Sequence, residues 1–414
     1  MSLLSIGMSG LNAAQGSLSV LSNNIANVNT PGYSRQQTTQ NANANNPYGG
    51  VFIGSGTTLA DVRRVYNEFL DQAYQNSTSL NNDAKAYSSQ ASAIDKTLSD
   101  KTTGMSSVLS AFFAAVQTSS ANPSDVSARQ VLLTSAQTLS NRFNSISNQL
   151  NQQKESINGQ LSTMSDQVNQ LTASIASLNK QITQVQGSSN SAPANLLDAR
   201  NEAVRSLNEL VGVTASEKNG VFSVSTGTGQ SLVLGDQSNT ISAVPSASDP
   251  SQYTIQLNAG GGTAIDLGNV LSGGSIGGLL RYRSDALMPA INDLGRIAIA
   301  TADTVNSQLG QGLDLNGDFG TSLFKDINSA AAIAQRSQGA AGNSVGSGNL
   351  NVSIKDSSKL STYDYKVTFT SGSNYTVMRS DGKAMGAFDT TTTPPPVIDG
   401  FTLASVSYTH LTLP

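Results

Sequence analysis

Four groups of residues in this 414-residue chain have types and spacings that could do chemistry. Asp314-Leu315-Asn316-Gly317-Asp318-Phe319-Gly320 sets oxygen atoms at alternate positions, as calcium loops do. The match fails where a calcium loop needs glycine at its sixth position and a bidentate acid at its twelfth, because Phe319 and Lys325 stand there. A solvated loop is the expectation. Gly227-Thr228-Gly229 and Gly260-Gly261-Gly262 lack both the Lys-Ser/Thr ending of a phosphate loop and the strand-to-helix setting of a dinucleotide fingerprint, so they read as hairpin turns. Asp364, Asp381 and Asp389 lie in strand-and-turn sequence with no spacing that pairs two carboxylates for hydrolysis. The single histidine, His410, has no identifiable partner for acid-base work. Cysteine is absent and histidine occurs once, which together remove thiol nucleophiles, Cys/His metal clusters and, away from the extreme C-terminus, any Ser-His-Asp triad. The expectation is a protein with no catalytic residue, no metal site and no cofactor.

Composition narrows the partners. Charged residues make up 12% of the chain, with 23 Lys plus Arg against 27 Asp plus Glu, about half the usual charged share. No basic block is present, which argues against nucleic acid. Met1-Ser2-Leu3-Leu4-Ser5-Ile6-Gly7 has no cation before its apolar residues, so it is not a secretory signal. No run of apolar residues is long enough to span a membrane. A cysteine-free chain can be unfolded and moved between compartments without misforming a disulfide, which suits export.

The elements follow from periodicity. Leu4, Leu11, Leu18, Leu21, Ile25 and Val28 form one narrow apolar stripe on a helix that must stop at Asn29-Thr30-Pro31-Gly32. Its other faces carry Ser, Asn and Gln, not the Lys and Arg of a membrane-surface helix. Residues 36–60, rich in Asn, Thr and Gly, read as a loop or irregular extended segment. Helical spacing resumes over 66–98 with Phe69, Ala73, Leu80, Ala84, Tyr87, Ala91, Ile94 and Leu98 on one face. A further helical stretch carries Leu109, Phe112, Phe113 and Val116, and Asn122-Pro123-Ser124-Asp125 then breaks the chain and offers Ser124 or Asp125 as the next N-cap.

From Leu139 to Val185 a seven-residue repeat runs through Phe143, Ile146, Leu150, Ile157, Leu161, Met164, Val168, Leu171, Ile175, Leu178 and Ile182, with polar Gln153 in the seam. That is roughly 47 residues and a rod of about 70 Å. Its seam must meet other long helices, the 66–98 helix or a later one carrying Ile291, Leu294, Ala298, Ala302, Val305 and Leu309. Seams this long and thin are expected to seek like-shaped neighbours on other molecules. Gly187 to Ser191 reads as a turn, and 196–210 as a shorter helix returning from it. Alternating runs at 221–225, 231–234 and 253–257, then at 349–354, 363–370, 375–378 and 401–406, read as hairpin strands.

The expected architecture is mainly α: long antiparallel coiled-coil-like helices with inserted small all-β domains, an α+β multidomain chain. Its segments are an N-terminal helix (1–35), a linker (36–64), a helical bundle (65–211), a small β domain (212–271), a returning helix (272–328), an outer β domain (329–407) and an atypical end (408–414).

The segment 21–36 closely resembles the N-terminal signature of the flagellar axial proteins of rod, hook and junction. Asn24, Ala26, Asn27, Asn29, Thr30, Pro31, Gly32 and Tyr33 carry the likeness. Gly32-Tyr33-Ser34-Arg35-Gln36 is more similar to the hook-associated proteins of the hook-filament junction than to rod or hook subunits. Asn122 to Asp125 with Arg129-Gln130, Asn195 to Arg200 and Gly277 to Leu280 add to the resemblance, which runs from Met1 to about Ser407.

The resemblance implies a structural subunit whose first helix packs with a C-terminal helix in an inner tube. It implies export without a cleaved signal peptide to the extracellular flagellum, and assembly at the distal end of the hook. Implied partners are the hook protein, the second hook-filament junction protein, an export chaperone and further copies of the chain; nucleic acid and membrane are not among them. Asn side chains near the helix exit are expected to satisfy frayed backbone groups, while Pro31-Gly32 sets the turn. Family members end in a heptad-patterned helix, whereas 408–414 fits neither that family pattern nor a strand turn. A truncated C-terminus is therefore expected, leaving a folded middle with a mobile N-terminal helix. The competing classes are another axial subunit, a coiled-coil adhesin or effector, and a muramidase, which would need an acidic pair that the sequence does not show.

Overall fold

The computed structural model describes residues 3–44, 46–48, 51–98, 104–188, 193–260, 262–268, 270–340, 342–343, 350–371 and 373–405. A first helix, α1 (Leu3–Ala26), leads to strands β1 (Gln36–Ala42), β2 (Asn46–Tyr48), β3 (Val51–Ile53) and β4 (Thr57–Arg64). Helices α2 (Glu68–Leu98), α3 (Met105–Ala121), α4 (Val126–Ser188) and α5 (Ala194–Leu210) come next. Strands β5 (Val213–Lys218), β6 (Val221–Thr226), β7 (Ser231–Leu234), β8 (Gln237–Ser238), β9 (Thr240–Pro245), β10 (Tyr253–Asn258) and β11 (Ile265–Asp266) follow. Helix α6 (Gly274–Tyr282) passes through a π turn, Arg283–Leu287, into α7 (Met288–Gly310). The wider turn falls where Pro289 cannot donate to the preceding turn and its ring would crowd a carbonyl there. Helix α8 (Ala330–Gln335) and strands β12 (Leu350–Ile354), β13 (Tyr365–Phe369), β14 (Asn374–Arg379), β15 (Ala384–Asp389) and β16 (Phe401–Ser405) complete the described chain. The pairs β1/β4, β2/β3, β5/β6, β6/β7, β7/β8, β10/β11, β12/β16, β13/β14 and β14/β15 are antiparallel.

Two compact units form, each from three stretches of chain. The first comprises Met1–Ala86, Leu161–Ala243 and Ile255–Leu279; the second comprises Tyr87–Gln160, Val244–Thr254 and Leu280–Pro414.

In the first unit the α4 seam positions Leu161, Val168, Ile175 and Ile182 are buried, as are Val204 and Leu207 of α5 and Val224, Leu232, Val233, Ile255 and Leu257 of the sheets. The sheets run β5-β6-β7-β8 and β11-β10-β9. Asn169 on α4 clamps one residue of β9 at both ends, its Nδ2 donating to the Ile241 carbonyl and its Oδ1 accepting from the Ile241 N–H, each at 2.8 Å. Helices α6 and α2 approach so closely that a Cβ at Gly278 would lie 2.3 Å from the Asp83 carbonyl oxygen. Only glycine fits there.

In the second unit Leu139, Ile146, Leu150 and Ile157 of α4 are buried. Phe112, Ala136 and Leu139 form a core with Val305, Leu323 and Phe324 packed on it. Gln153, the polar break in the seam, donates 3.2 Å hydrogen bonds to the carbonyl and side-chain oxygens of Gln90. A second core of Tyr375, Val377, Ile398, Phe401 and Leu403 underlies the sheets β12-β16 and β13-β14-β15.

Three expectations need correction. The alternate seam positions of α4 are buried within the chain, so this rod does not present a bare ridge to other molecules. Residues 36–60 are not an irregular linker, because β1 and β4 pair from Gln36↔Arg64 to Ala42↔Thr57. The β signal there is weak since polar residues occupy both faces and small side chains of α1, not a greasy core, cover one of them. Helix α2 is inside out at its start: Phe69, Tyr74 and Leu80 are exposed, whereas Asp71, Gln75 and Ser79 are buried. Polar partners reverse the pattern there, for Asp71 accepts from Tyr66, Gln75 and Arg205.

Candidate functional site

Helix α1 has two working faces. Ser9, Ala13, Gly16 and Ser17, small residues at helical spacing, face the β1/β4 ribbon. The Thr57 N–H donates to Ser9 Oγ at 3.1 Å, Ser17 Oγ lies 3.2 Å from Thr38 Oγ1, and a Cβ at Gly16 would sit 3.1 Å from Leu59. Ala13 is buried there. The helix is therefore seated on its own ribbon and is not an isolated arm.

The other face carries the apolar stripe. Leu4, Leu11, Leu18, Leu21, Ile25 and Val28 are 78%, 67%, 62%, 53%, 65% and 73% exposed. Leu3 and Met8 add to the same apolar surface. Exposure of so many large side chains on one element marks an interaction surface. Full burial of each is worth about 1.5–3 kcal/mol.

The helix exit is locked by side chains of the signature. Asn24 Nδ2 donates to the Gln36 carbonyl and Asn24 Oδ1 accepts from the Gln36 N–H, both at 2.9 Å. Tyr33 Oη donates to the same Oδ1 at 2.8 Å. In effect Asn24 supplies the outward side of the first β1 residue with a strand-like partner. Asn27 Nδ2 donates to the backbone and side-chain oxygens of Asn23, and Thr30 Oγ1 donates to Asn27 Oδ1 at 3.2 Å. Ala26, Asn29, Thr30 and Pro31 are exposed around the turn. Gly32 has φ +77, and a Cβ there would lie 2.8 Å from Glu202.

Behind this clasp lies a polar network that local sequence patterns do not reveal. Asp198 on α5 accepts from the Ser34 N–H at 3.1 Å and pairs with Arg64 at 2.8 Å. Arg205 binds Asp71 through Nε at 2.9 Å and Nη2 at 2.5 Å, and Glu202 at 3.0 Å. Burial, helped by the hydrogen bond to Asp71, pushes the Tyr66 hydroxyl up to about 12. Arg200 stacks 3.7 Å over Phe222 and burial holds its guanidinium below its usual value. Sequence separations above 130 residues join Asp198 to Ser34 and Arg64, and Arg205 to Asp71, so for these the only local signal was the acidic and basic residues within Asn195 to Arg205.

The acidic residues weighed for chemistry hold structural partners instead. Asp314 accepts from the Asn316 and Asp318 N–H groups at 2.7 and 3.0 Å, and these backbone donors hold its carboxyl low. Asp364 accepts from Asn292, Asp381 pairs with Arg379, and Asp389 accepts from Thr391. Gly229, at φ +86, closes the β6-β7 hairpin. Among the described residues no group of three or more His, Cys, Asp and Glu could hold a metal, and no helix is long and apolar enough to cross a membrane. His410, Gly261, residues 189–191 of the expected turn and the 408–414 end lie outside the described residues.

The geometry is thus that of an assembly element, and comparison with known proteins agrees. A family model described as the flagellar hook-associated protein FlgK helical domain matches residues 91–324, and one described as flagella basal body rod protein matches residues 4–33. Flagellar hook-associated protein 1 of Escherichia coli (strain K12) is 35% identical over 98% of this chain and 76% of its own length. The protein of that name from Salmonella typhimurium is 35% identical over 92% of this chain and 68% of its own. The flagellar hook junction protein FlgK from Burkholderia pseudomallei has a similar structure, with a TM-score of 0.70 and 33% identity over 82% of this chain. This chain spans 60% of that one. With its helical domain, its rod-type first helix and most of its length so matched, the chain belongs to the flagellar hook-associated protein 1 family.

Proposed function

We propose that the chain is a structural subunit of the bacterial flagellum that polymerises at the distal end of the hook and joins it to the filament. One observation carries the reading: α1 is anchored by its small face and its clasp while its whole apolar stripe, Leu4 to Val28, stays open. A helix so held gains nothing inside the chain from that stripe, so the face is spent on neighbouring subunits. Its neighbours in this reading are further copies, the hook protein and the second junction protein, with an export chaperone before assembly. Passage to the cell exterior proceeds unfolded and without a cleaved signal peptide, which the absence of cysteine favours. No catalytic step belongs to this role. Deleting the gene in its host is expected to give intact but bare hooks and filament protein shed into the medium; a deletion strain that keeps its filaments would overturn the proposal.

A further inference from the structure

The loop after α7 is built rigidly yet presents grease to water. Leu313, Leu315 and Phe319 are all exposed, Phe319 by 75%. Asp314 gathers the N–H groups of Asn316 and Asp318, its own N–H donates to the Asp318 carbonyl at 2.7 Å, and Gly317 at φ +88 permits the turn. The Gly312 and Gly320 N–H groups close the base, donating to the Leu309 and Gly312 carbonyls at 3.0 and 2.9 Å. A loop with only a connecting role has no use for three large apolar side chains fixed outward.

The same unit carries a receptor of matching chemistry. Leu98, Met105, Leu109, Phe113 and Ile297 line a groove of about 730 Å³, whose remaining lining is Ser, Ala and Gln without a charge. That volume lies in the range of about 300–1,000 Å³ that accepts several buried side chains or a small ligand. Ile297 and Gly310 share α7 and stand about 20 Å apart along its axis. None of the loop's residues lines the groove, so the knob of a chain does not fill the groove of that same chain.

We propose that copies of this chain associate head to tail, the Leu313/Leu315/Phe319 knob of one copy entering the groove beside Phe113 of the next. Knob and groove are different surfaces of one chain, so the contact is heterologous and propagates rather than closing as a dimer. The inference rests on the proposal that copies of the chain assemble, and names one of the contacts.

The absence of cysteine makes the test clean. Chains carrying Phe319→Cys and Phe113→Cys are purified, checked by circular dichroism, mixed and oxidised. The mixed 319–113 cross-link is expected to form at least tenfold faster than one between Phe319→Cys and Lys218→Cys chains. Leu315→Cys with Leu109→Cys serves if either first variant misfolds. A mixed cross-link no faster than the control, or one outpaced by the 319–319 product, overturns the knob-and-groove contact. That result leaves the junction reading standing, because the deletion strain judges it independently.

Discussion

The clasp at the end of α1 can be tested one amide at a time. Asn24 holds both backbone groups of Gln36 at 2.9 Å, and Gln36 stands opposite Arg64 at the end of the β1/β4 ribbon. Replacing Asn24 with Ala removes both neutral hydrogen bonds to Gln36, along with the one from Tyr33, at a half-buried position. At about 1 kcal/mol each, with water able to reach the freed groups, the loss at Gln36 is about 2 kcal/mol. Because about 1.4 kcal/mol is a factor of ten, the Gln36 amide should exchange about 30-fold faster in hydrogen-deuterium exchange at single-residue resolution. Amides of β6 and β10, whose partners lie elsewhere, should not change. Asn24→Asp provides the sharper comparison: it can still accept from the Gln36 N–H, but it sets a carboxylate oxygen against the Gln36 carbonyl, so it should do no better than Ala. Exchange at Gln36 within threefold of the unsubstituted chain, or an Asp variant that behaves like Asn, would refute the two-sided clamp.

Gly278→Ala should destabilise the chain by about 1–3 kcal/mol through overpacking, since its Cβ would press on the Asp83 carbonyl; urea unfolding monitored at α2 reads the loss, and an unchanged midpoint contradicts the close approach. The sheets of 350–405 should loosen in acid. Arg379 holds the Asp381 carboxyl down to about 2, and Lys359 does the same for Asp356. Both values lie below the unfolded range near 4, so their contribution is complete above about pH 4 and lost as pH falls through about 2. Asp381→Asn should flatten that acid limb in near-ultraviolet circular dichroism, and an identical limb in the variant would refute it.

How much of this was legible depended on whether the deciding partner was local. The seven-residue repeat of α4 exposes its helix directly, and Ser and Thr alternating with Val, Leu and Ile expose β6, β7, β10 and β14. The stripe on α1 was visible, but its small face was not, because Ser9, Gly16 and Ser17 signal packing only once the ribbon is in place. The start of α2 misleads for the converse reason: Asp71 can be buried only because Arg205, 134 positions away, neutralises it. Strand β15 hid behind Gly386, at φ +129, and a shift in its register with β14. Of the helix exit, Pro31 and Gly32 announce a turn from sequence alone, whereas the pairing of Asn24 with Gln36 and of Asp198 with Ser34 arises only once the chain is folded.

The central claim is that the open stripe of α1 binds neighbouring subunits. Its most direct measurement is filament retention in cells whose chromosomal copy carries Leu18→Glu with Ile25→Glu, beside Ser19→Glu as an exposed control off the stripe. Each Leu or Ile withdrawn from an apolar contact forfeits about 1.5–3 kcal/mol, and a buried unpaired carboxylate costs more. The double variant should therefore be exported and folded yet leave hooks bare, while Ser19→Glu cells keep their filaments. Filaments attached at normal number in the double variant would contradict the account.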